Sequence, residues 1–174
     1  LGTIPAVVLG LALEEYMETL FRSAEVVAVM LLVGAGIFYA AEKYARQNRE
    51  ITPQMGLWVG FFQALALIPG MSRSGMTISG GMFLGLSRKE AARFGFLLSV
   101  PIIFGSGIKK FFELWSVGAF HDLGASLFAG AVASFIIGIF VIHYLLKYLT
   151  HHTLGIFIAY RVALASVIFV FLLL

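Results

Sequence analysis

An all-α, polytopic integral membrane protein, with about five spanning helices and one re-entrant broken-helix hairpin, is the fold class that the sequence predicts. Three observations carry that prediction. Of the 174 residues 60% are hydrophobic and only 12% charged, and the mean hydropathy is +0.98; a soluble domain averages about 45–50% apolar and about 25% charged residues. Uncharged runs recur along the chain at lengths near the roughly 20 residues that cross a bilayer as a helix. One of those runs is broken at its centre by proline, glycine, serine and arginine. Too little polar surface exists to coat such a chain in water, which excludes a secreted enzyme, a cytosolic enzyme and a disordered tail. With no cysteine in the chain, a disulfide scaffold, a thiol nucleophile and a cysteine-ligated metal are excluded too. The net charge of +3, from twelve basic and nine acidic residues, is dispersed between apolar runs. It reads as topology signalling and predicts no nucleic-acid partner.

The elements follow in order. The chain opens Leu1-Gly2-Thr3-Ile4-Pro5 inside an apolar run, with no Met and no basic leader, which predicts an upstream segment that this chain lacks. Leu1 to Leu13 is the first predicted span, and it ends in the acidic stretch Glu14-Glu15-Tyr16-Met17-Glu18. Val26 to Ala41 is the second, lengthened by its flanks. Phe94 to Ile108 is the third and holds Pro101, a kink that membrane helices tolerate when neighbours satisfy the freed carbonyl. Leu123 to Leu146 is the longest uncharged run and the clearest span, and Leu154 to Leu174 is the last, interrupted by Arg161.

Residues 54–86 behave differently. At their centre stands Pro69-Gly70-Met71-Ser72-Arg73-Ser74-Gly75-Met76-Thr77, which would break any straight helix. Two half-helices are predicted, Gln54–Leu67 and Ser74–Leu86, joined by a loop at membrane depth. Such a loop is tolerated only where protein buries it or where it lines a wet cavity. Ser87 and Glu90 then form a capping box that opens the next helix. If residues 54–86 enter and leave on one face, Lys43, Arg46, Arg49, Arg88, Lys89, Arg93 and Lys147 share a side, and Arg22, Lys109 and Lys110 take the other. That asymmetry obeys the positive-inside rule, whereas a single crossing would split the basic clusters.

Arg73 is the most informative residue. Arginine at membrane depth costs at least about 2.5–3.5 kcal/mol on insertion scales and usually meets a cavity and a partner. The nearest acids in the sequence are Glu50 and Glu90, so the partner is remote in sequence or is a bound anion. Ser72, Ser74 and Thr77 place hydroxyls around it. A helix beginning near Ser74 adds unpaired N–H groups and about half a positive charge, which suits a phosphate. Gly70 and Gly75 let backbone approach a ligand, and guanidinium offers a planar fork to two phosphate oxygens. The residues converge on a phosphate or diphosphate site. The alternative is a capped helix break with Arg73 snorkelling to an interface, which accounts for the charge but not for the hydroxyls and glycines.

The stretch from Gly60 to Ile78 resembles the signature of the bacterial undecaprenyl-diphosphate phosphatases of the BacA type, Gln-x-x-Ala-Leu-x-Pro-Gly-x-Ser-Arg-Ser-Gly-x-Thr, here running from Gln63 to Thr77. Gly2 to Val7 is similar to the opening of a middle helix of that family, and Ala159-Tyr160-Arg161 to its last helix. The resemblance covers essentially the whole chain but only the C-terminal two-thirds of a typical member. It implies a hydrolase that converts undecaprenyl diphosphate into undecaprenyl phosphate and inorganic phosphate, recycling the lipid carrier of cell-wall synthesis. It further implies an inverted-repeat fold, of which this chain is a single transmembrane domain holding one of two re-entrant hairpins. The location implied is the bacterial inner membrane, with the site open to the outer face. On this reading Arg73, Ser72, Ser74 and Thr77 are catalytic, and Gly70, Gly75, Gln63 and Arg161 bind substrate. Mg²⁺ or Ca²⁺ would be held by acids of the first hairpin, since Gln63 stands where that hairpin places an acid; this chain would supply no metal ligand and alone would be inactive. A transporter or flippase of polyprenyl phosphate is the alternative that inverted-repeat logic also allows.

Other residues divide between functional and plain readings. Glu14 and Glu18 share a helix face, as metal ligands or as a solvated acidic loop. His143 is a cavity group or a packing residue, and His151-His152 mark an interface. Arg161 meets a lipid phosphate, meets another helix, or snorkels. Gly81-x-x-x-Gly85 is a close-packing face, for which a homodimer is one use.

Overall fold

The computed structural model describes residues 2–13, 23–45, 51–118 and 120–173, with the side chains of 120–123 excepted. Among these residues seven helices and no strand are found: α1 (Ile4–Ala12), α2 (Ala24–Tyr44), α3 (Pro53–Leu65), α4 (Arg73–Phe83), α5 (Arg88–Ser116), α6 (Phe120–His151) and α7 (Gly155–Leu173). Four of them, α2, α5, α6 and α7, are long and apolar enough to cross a membrane. The chain is an all-α, multi-pass membrane protein.

Four of the five expected runs coincide with these long helices, and the run Leu1 to Leu13 holds the shorter α1. Helix α1 has nine residues among those described, roughly 13 Å at 1.5 Å per residue. It packs against α3 with Pro5 and Ala6 buried, while Ile4, Val8 and Leu11 stay exposed. Gly2 and Gly60 lie so close that a Cβ on Gly60 would run into the Gly2 carbonyl. The acidic stretch with Glu14 and Glu18, and with it the metal reading of that pair, lies outside the described residues.

The predicted broken helix is present within three residues of its expected bounds. Pro53 opens α3 at its first position, where a missing N–H costs nothing. The helix tightens at its end, where the N–H groups of Ala66, Leu67 and Ile68 reach back only three residues, and Pro69 cannot continue it. Gly70 turns the chain with φ +96° and Ser72 follows with φ +70°. Ser72 then caps α4, its hydroxyl accepting from the Gly75 N–H at 3.3 Å. At the far end of α4, Leu86 N–H bonds Gly81 and Gly85 N–H bonds Met82, a Schellman closure that needs the positive φ of Gly85. The capping box is found as expected, with Glu90 N–H donating to Ser87 Oγ and Ser87 N–H to the Glu90 carboxylate.

Helix α4 is the centre of the molecule. Eight of its eleven residues are buried, and it packs against α2, α3 and α5. Methionines fill the space around it: Met55, Met71, Met76 and Met82 join Phe38, Leu86 and Leu154 in one core. Their unbranched side chains suit the irregular gaps beside a helix break. Helix α6 is the opposite case. Almost all of its outer surface from Gly124 to Tyr144 is exposed and apolar, which only hydrocarbon can solvate.

One polar node ties three of these elements at one end. Arg88 Nε, at the start of α5, donates to both carboxylate oxygens of Glu42, in the last turn of α2, at 2.8 and 2.9 Å, and its Nη2 reaches the same carboxylate. Glu42 also accepts from the Leu154 N–H at 2.8 Å, beside the start of α7.

Candidate functional site

A cleft of about 1010 Å³ opens between α1, α3, α4 and α5. Its polar lining comes from Gln63, Arg73, Ser106 and Lys109, and its apolar lining includes Val7, Leu11, Leu67, Pro101 and Ile102. Among the described residues no carboxylate lines it. Arg73 is placed there by its position in α4. As the first residue of a capped helix, its side chain leaves the buried axis of the helix and stands exposed while the residues behind it are buried. Among the described residues the Arg73 guanidinium has no acid and no hydrogen-bond partner. A guanidinium that opens on a largely apolar cleft without a counter-ion is prepared for an anion.

Gln63 is 2% exposed, and neither its amide oxygen nor its amide nitrogen has a partner among the described residues. An unsatisfied buried amide costs about 1–3 kcal/mol, so a native structure that keeps one needs a reason. The residue lies at the edge of the cleft.

The four residues expected to act catalytically separate into exposed and internal groups. Ser74 is exposed beside Arg73, and its hydroxyl has no partner among the described residues. Arg73, Ser74 and Thr77 also line a smaller pocket of about 40 Å³ against Ala92, Gly95 and Ser99 of α5. Thr77 itself is 1% exposed. Its hydroxyl contacts the carbonyls of Arg73 and Ser74 at 3.1 and 3.0 Å, so its single proton is committed to the helix. Ser72 Oγ is committed to the Gly75 N–H. This cap leaves the N–H groups of Arg73 and Ser74, and not that of Gly75, as the open donors at the helix start.

Ser72 is the only non-glycine residue with positive φ among the described residues, at φ 70° and ψ 114°. Such conformations cost about 1–3 kcal/mol and persist where the surroundings impose them. The cap and the packing of the turn impose this one.

Three residues expected to bind substrate do not line the cleft. Gly75 is buried against α2, where a Cβ would enter the Phe38 ring. Gly70 nests on α2, where a Cβ would meet the Val27 carbonyl at 2.7 Å and Met30 Cβ at 2.9 Å. Arg161 is 5% exposed. Of the three readings open to it, the inter-helix partner is what the structure contains. Its Nε donates to the Leu31 carbonyl at 3.2 Å, its Nη2 to Met30 at 3.3 Å and to Gly70, and its guanidinium lies 4.9 Å from the Phe38 ring centroid. The reason is geometric: α7 packs along α2, and Gly34 opens the space through which the side chain passes.

Sequence reasoning missed Lys109 and Ser106, both on α5. The available signal was the Lys109-Lys110 pair within an apolar helix, which reads as topology charge until the helix is found to line a cleft. His143 is exposed on α6, edge-on to Tyr144. His152 stacks on Tyr148 with centroids 4.3 Å apart. Neither histidine lines the cleft. No cluster of three or more His, Asp or Glu suited to a metal exists among the described residues.

Against known proteins, the family model described as bacitracin resistance protein BacA matches residues 1–167. An undecaprenyl-diphosphatase of Elusimicrobium minutum (strain Pei191) is 42% identical over 171 residues, covering 98% of this chain and 65% of that protein. One of Mycobacterium ulcerans (strain Agy99) is 41% identical, covering 99% and 64%, and one of Chlorobaculum parvum is 44% identical, covering 94% and 62%. The chain spans just under two thirds of the length of these relatives. With a broken helix, a capped arginine and a match along nearly its whole length, the chain belongs to the BacA family.

Proposed function

We propose that this chain carries the substrate-clamping part of a membrane phosphatase that hydrolyses undecaprenyl diphosphate to undecaprenyl phosphate and inorganic phosphate. The observation that carries the reading is Arg73, an unpaired guanidinium at a helix N-terminus that faces a cleft beside the unsatisfied Gln63 amide. The relatives are named for this substrate, and the cleft suits an amphiphile: cationic and amide groups for the head, walls from α1 and α5 for isoprene units.

In this account residues 54–86 re-enter the membrane from the cytoplasmic face of the bacterial inner membrane, and the cleft opens toward the outer face. They form one of two related hairpins of an inverted repeat. The node at Glu42, Arg88 and Leu154 supports that reading, because it brings the flanks of the hairpin to one end. Arg73 forks onto oxygens of the terminal phosphate, and the N–H groups of Arg73 and Ser74 with the Ser74 hydroxyl take others. As water attacks the terminal phosphorus, the P–O bond to the bridging oxygen breaks. Charge accumulates on oxygens that these donors already face, which is where electrostatic stabilisation acts most strongly. Ser72 and Thr77 brace the turn that aims the donors, and the Gln63 amide gains partners from the diphosphate.

Mg²⁺ or Ca²⁺ is the expected cofactor, but the described residues around the cleft do not fit either ion. Mg²⁺ asks for one or two carboxylates beside phosphate oxygens, and the described residues lining the cleft include none, so no step is routed through a metal. The test is phosphate release from undecaprenyl diphosphate by the intact detergent-solubilised protein. Release supports the phosphatase. Lipid movement across liposomes without release would replace it with a polyprenyl-phosphate transporter.

A further inference from the structure

We propose that Arg161 is a positioning residue, a latch from α7 that holds the anion-binding turn in its strained form. The inference rests on the phosphatase reading for its catalytic consequence, but not for its structural content. The Gly70 carbonyl sits two residues before Ser72, and Arg161 binds it while also binding the Met30 and Leu31 carbonyls of α2. One guanidinium therefore joins three elements: the last helix, the second helix and the tip of the broken helix.

The turn needs such a holder. Ser72 adopts a positive φ that its side chain disfavours, and an unheld turn would relax toward ordinary backbone angles. Relaxation there would rotate the first turn of α4 and move the Arg73 guanidinium with it. Gly70 seats the tip against Val27 and Met30 on one side, and the arginine closes the other. The latch is itself prearranged. Gly34 lacks a side chain where Nη2 passes, since a Cβ there would collide with the guanidinium, and the Phe38 ring lies 4.9 Å beneath it. The same ring packs against Gly75, so Phe38 contacts the latch and the first turn of α4 together. Arg161 pairs with carbonyls and a ring rather than with a carboxylate. Its five fixed donors can span several acceptors, which the ammonium of lysine, as a point charge, does not reproduce.

The experiment compares the intact protein with its Arg161→Lys variant by hydrogen–deuterium exchange and by kinetics on undecaprenyl diphosphate in detergent. The expected result is at least tenfold faster exchange at the hydrogen-bonded amides of Met71, Gly75 and Met76, with the middles of α2 and α7 as protected as before. The same variant should show a KM about tenfold higher, a readout that does not depend on the fraction of molecules folded. Gly34→Ala, which crowds the guanidinium while keeping its charge, should reproduce both effects and serves if the lysine variant does not fold. Unchanged exchange at the Met71, Gly75 and Met76 amides overturns the latch, as does a loss of protection throughout α2 and α7 equal to that at the turn, which would mark Arg161 as general support. Local loosening with an unchanged KM overturns its catalytic consequence. If the unaltered protein releases no phosphate, the phosphatase reading fails, and the exchange result alone still decides for or against the latch.

Discussion

Arg73 and Arg161 are two arginines within one membrane protein, and their surroundings are opposites. Arg161 is enclosed, with carbonyls from two other elements and an aromatic ring supplied by the protein itself. Arg73 is open, standing on a capped helix start above a cleft, with no protein partner among the described residues. The difference teaches how to tell a structural charge from a functional one when both lie in apolar runs. A buried charge whose acceptors are all intramolecular is satisfied before any ligand arrives. A charge with donors arranged and acceptors missing is waiting for a ligand to supply them.

Substitutions sharpen that contrast. The largest effect is expected from Arg73→Lys, which keeps the charge and loses the fork. Phosphate release should fall about 100-fold or more, the range for removing a preorganised donor from an anionic transition state, while the melting temperature in detergent stays unchanged. Arg161→Met should behave in reverse order, losing stability first. Three carbonyls lose their donor at about 1 kcal/mol each, so thermal or denaturant unfolding in detergent should report roughly 3 kcal/mol. Equal stability losses at the two arginines would break the comparison.

These contrasts were only partly legible in the sequence. The helix break, its two arms and the capping box could be read because each rests on local chemistry: Pro69 without an N–H, Gly70 at positive φ, Ser87 and Glu90 three apart. Arg73 could be read because no acid lies near it in the chain. The partners of Arg161 could not, since Leu31 and Gly70 are 130 and 91 residues away and are backbone atoms, which leave no mark on residue type. Gly75 misled for a related reason: a glycine beside a phosphate motif suggests ligand approach, whereas here it admits Phe38. The run Leu1 to Leu13 reads as a span from its apolar residues alone, which do not mark that the helix within it holds only nine residues. Lys109 entered the cleft only once α5 was seen to wall it.

Smaller effects separate ligand contact from support within the site. Gln63→Leu removes an amide that the protein leaves unsatisfied, so it should raise stability by about 1 kcal/mol or more while raising KM. Opposite signs in those two measurements would mark Gln63 as a residue retained for its ligand. Thr77→Val should cost about 1 kcal/mol through its lost helix-internal hydrogen bonds and should reduce turnover less than tenfold, because the hydroxyl already serves the carbonyls of Arg73 and Ser74. A loss at Thr77 equal to that at Arg73 would move the hydroxyl from brace to reactant contact.

The most direct measurement is a structure of the intact protein bound to a polyprenyl diphosphonate with a methylene bridge, which cannot be hydrolysed at the bridge. The account predicts phosphonate oxygens about 3 Å from the Arg73 guanidinium nitrogens, the Gln63 amide newly bonded, and Arg161 still on its carbonyls. A headgroup bound elsewhere, with Arg73 left facing the empty cleft, would contradict it.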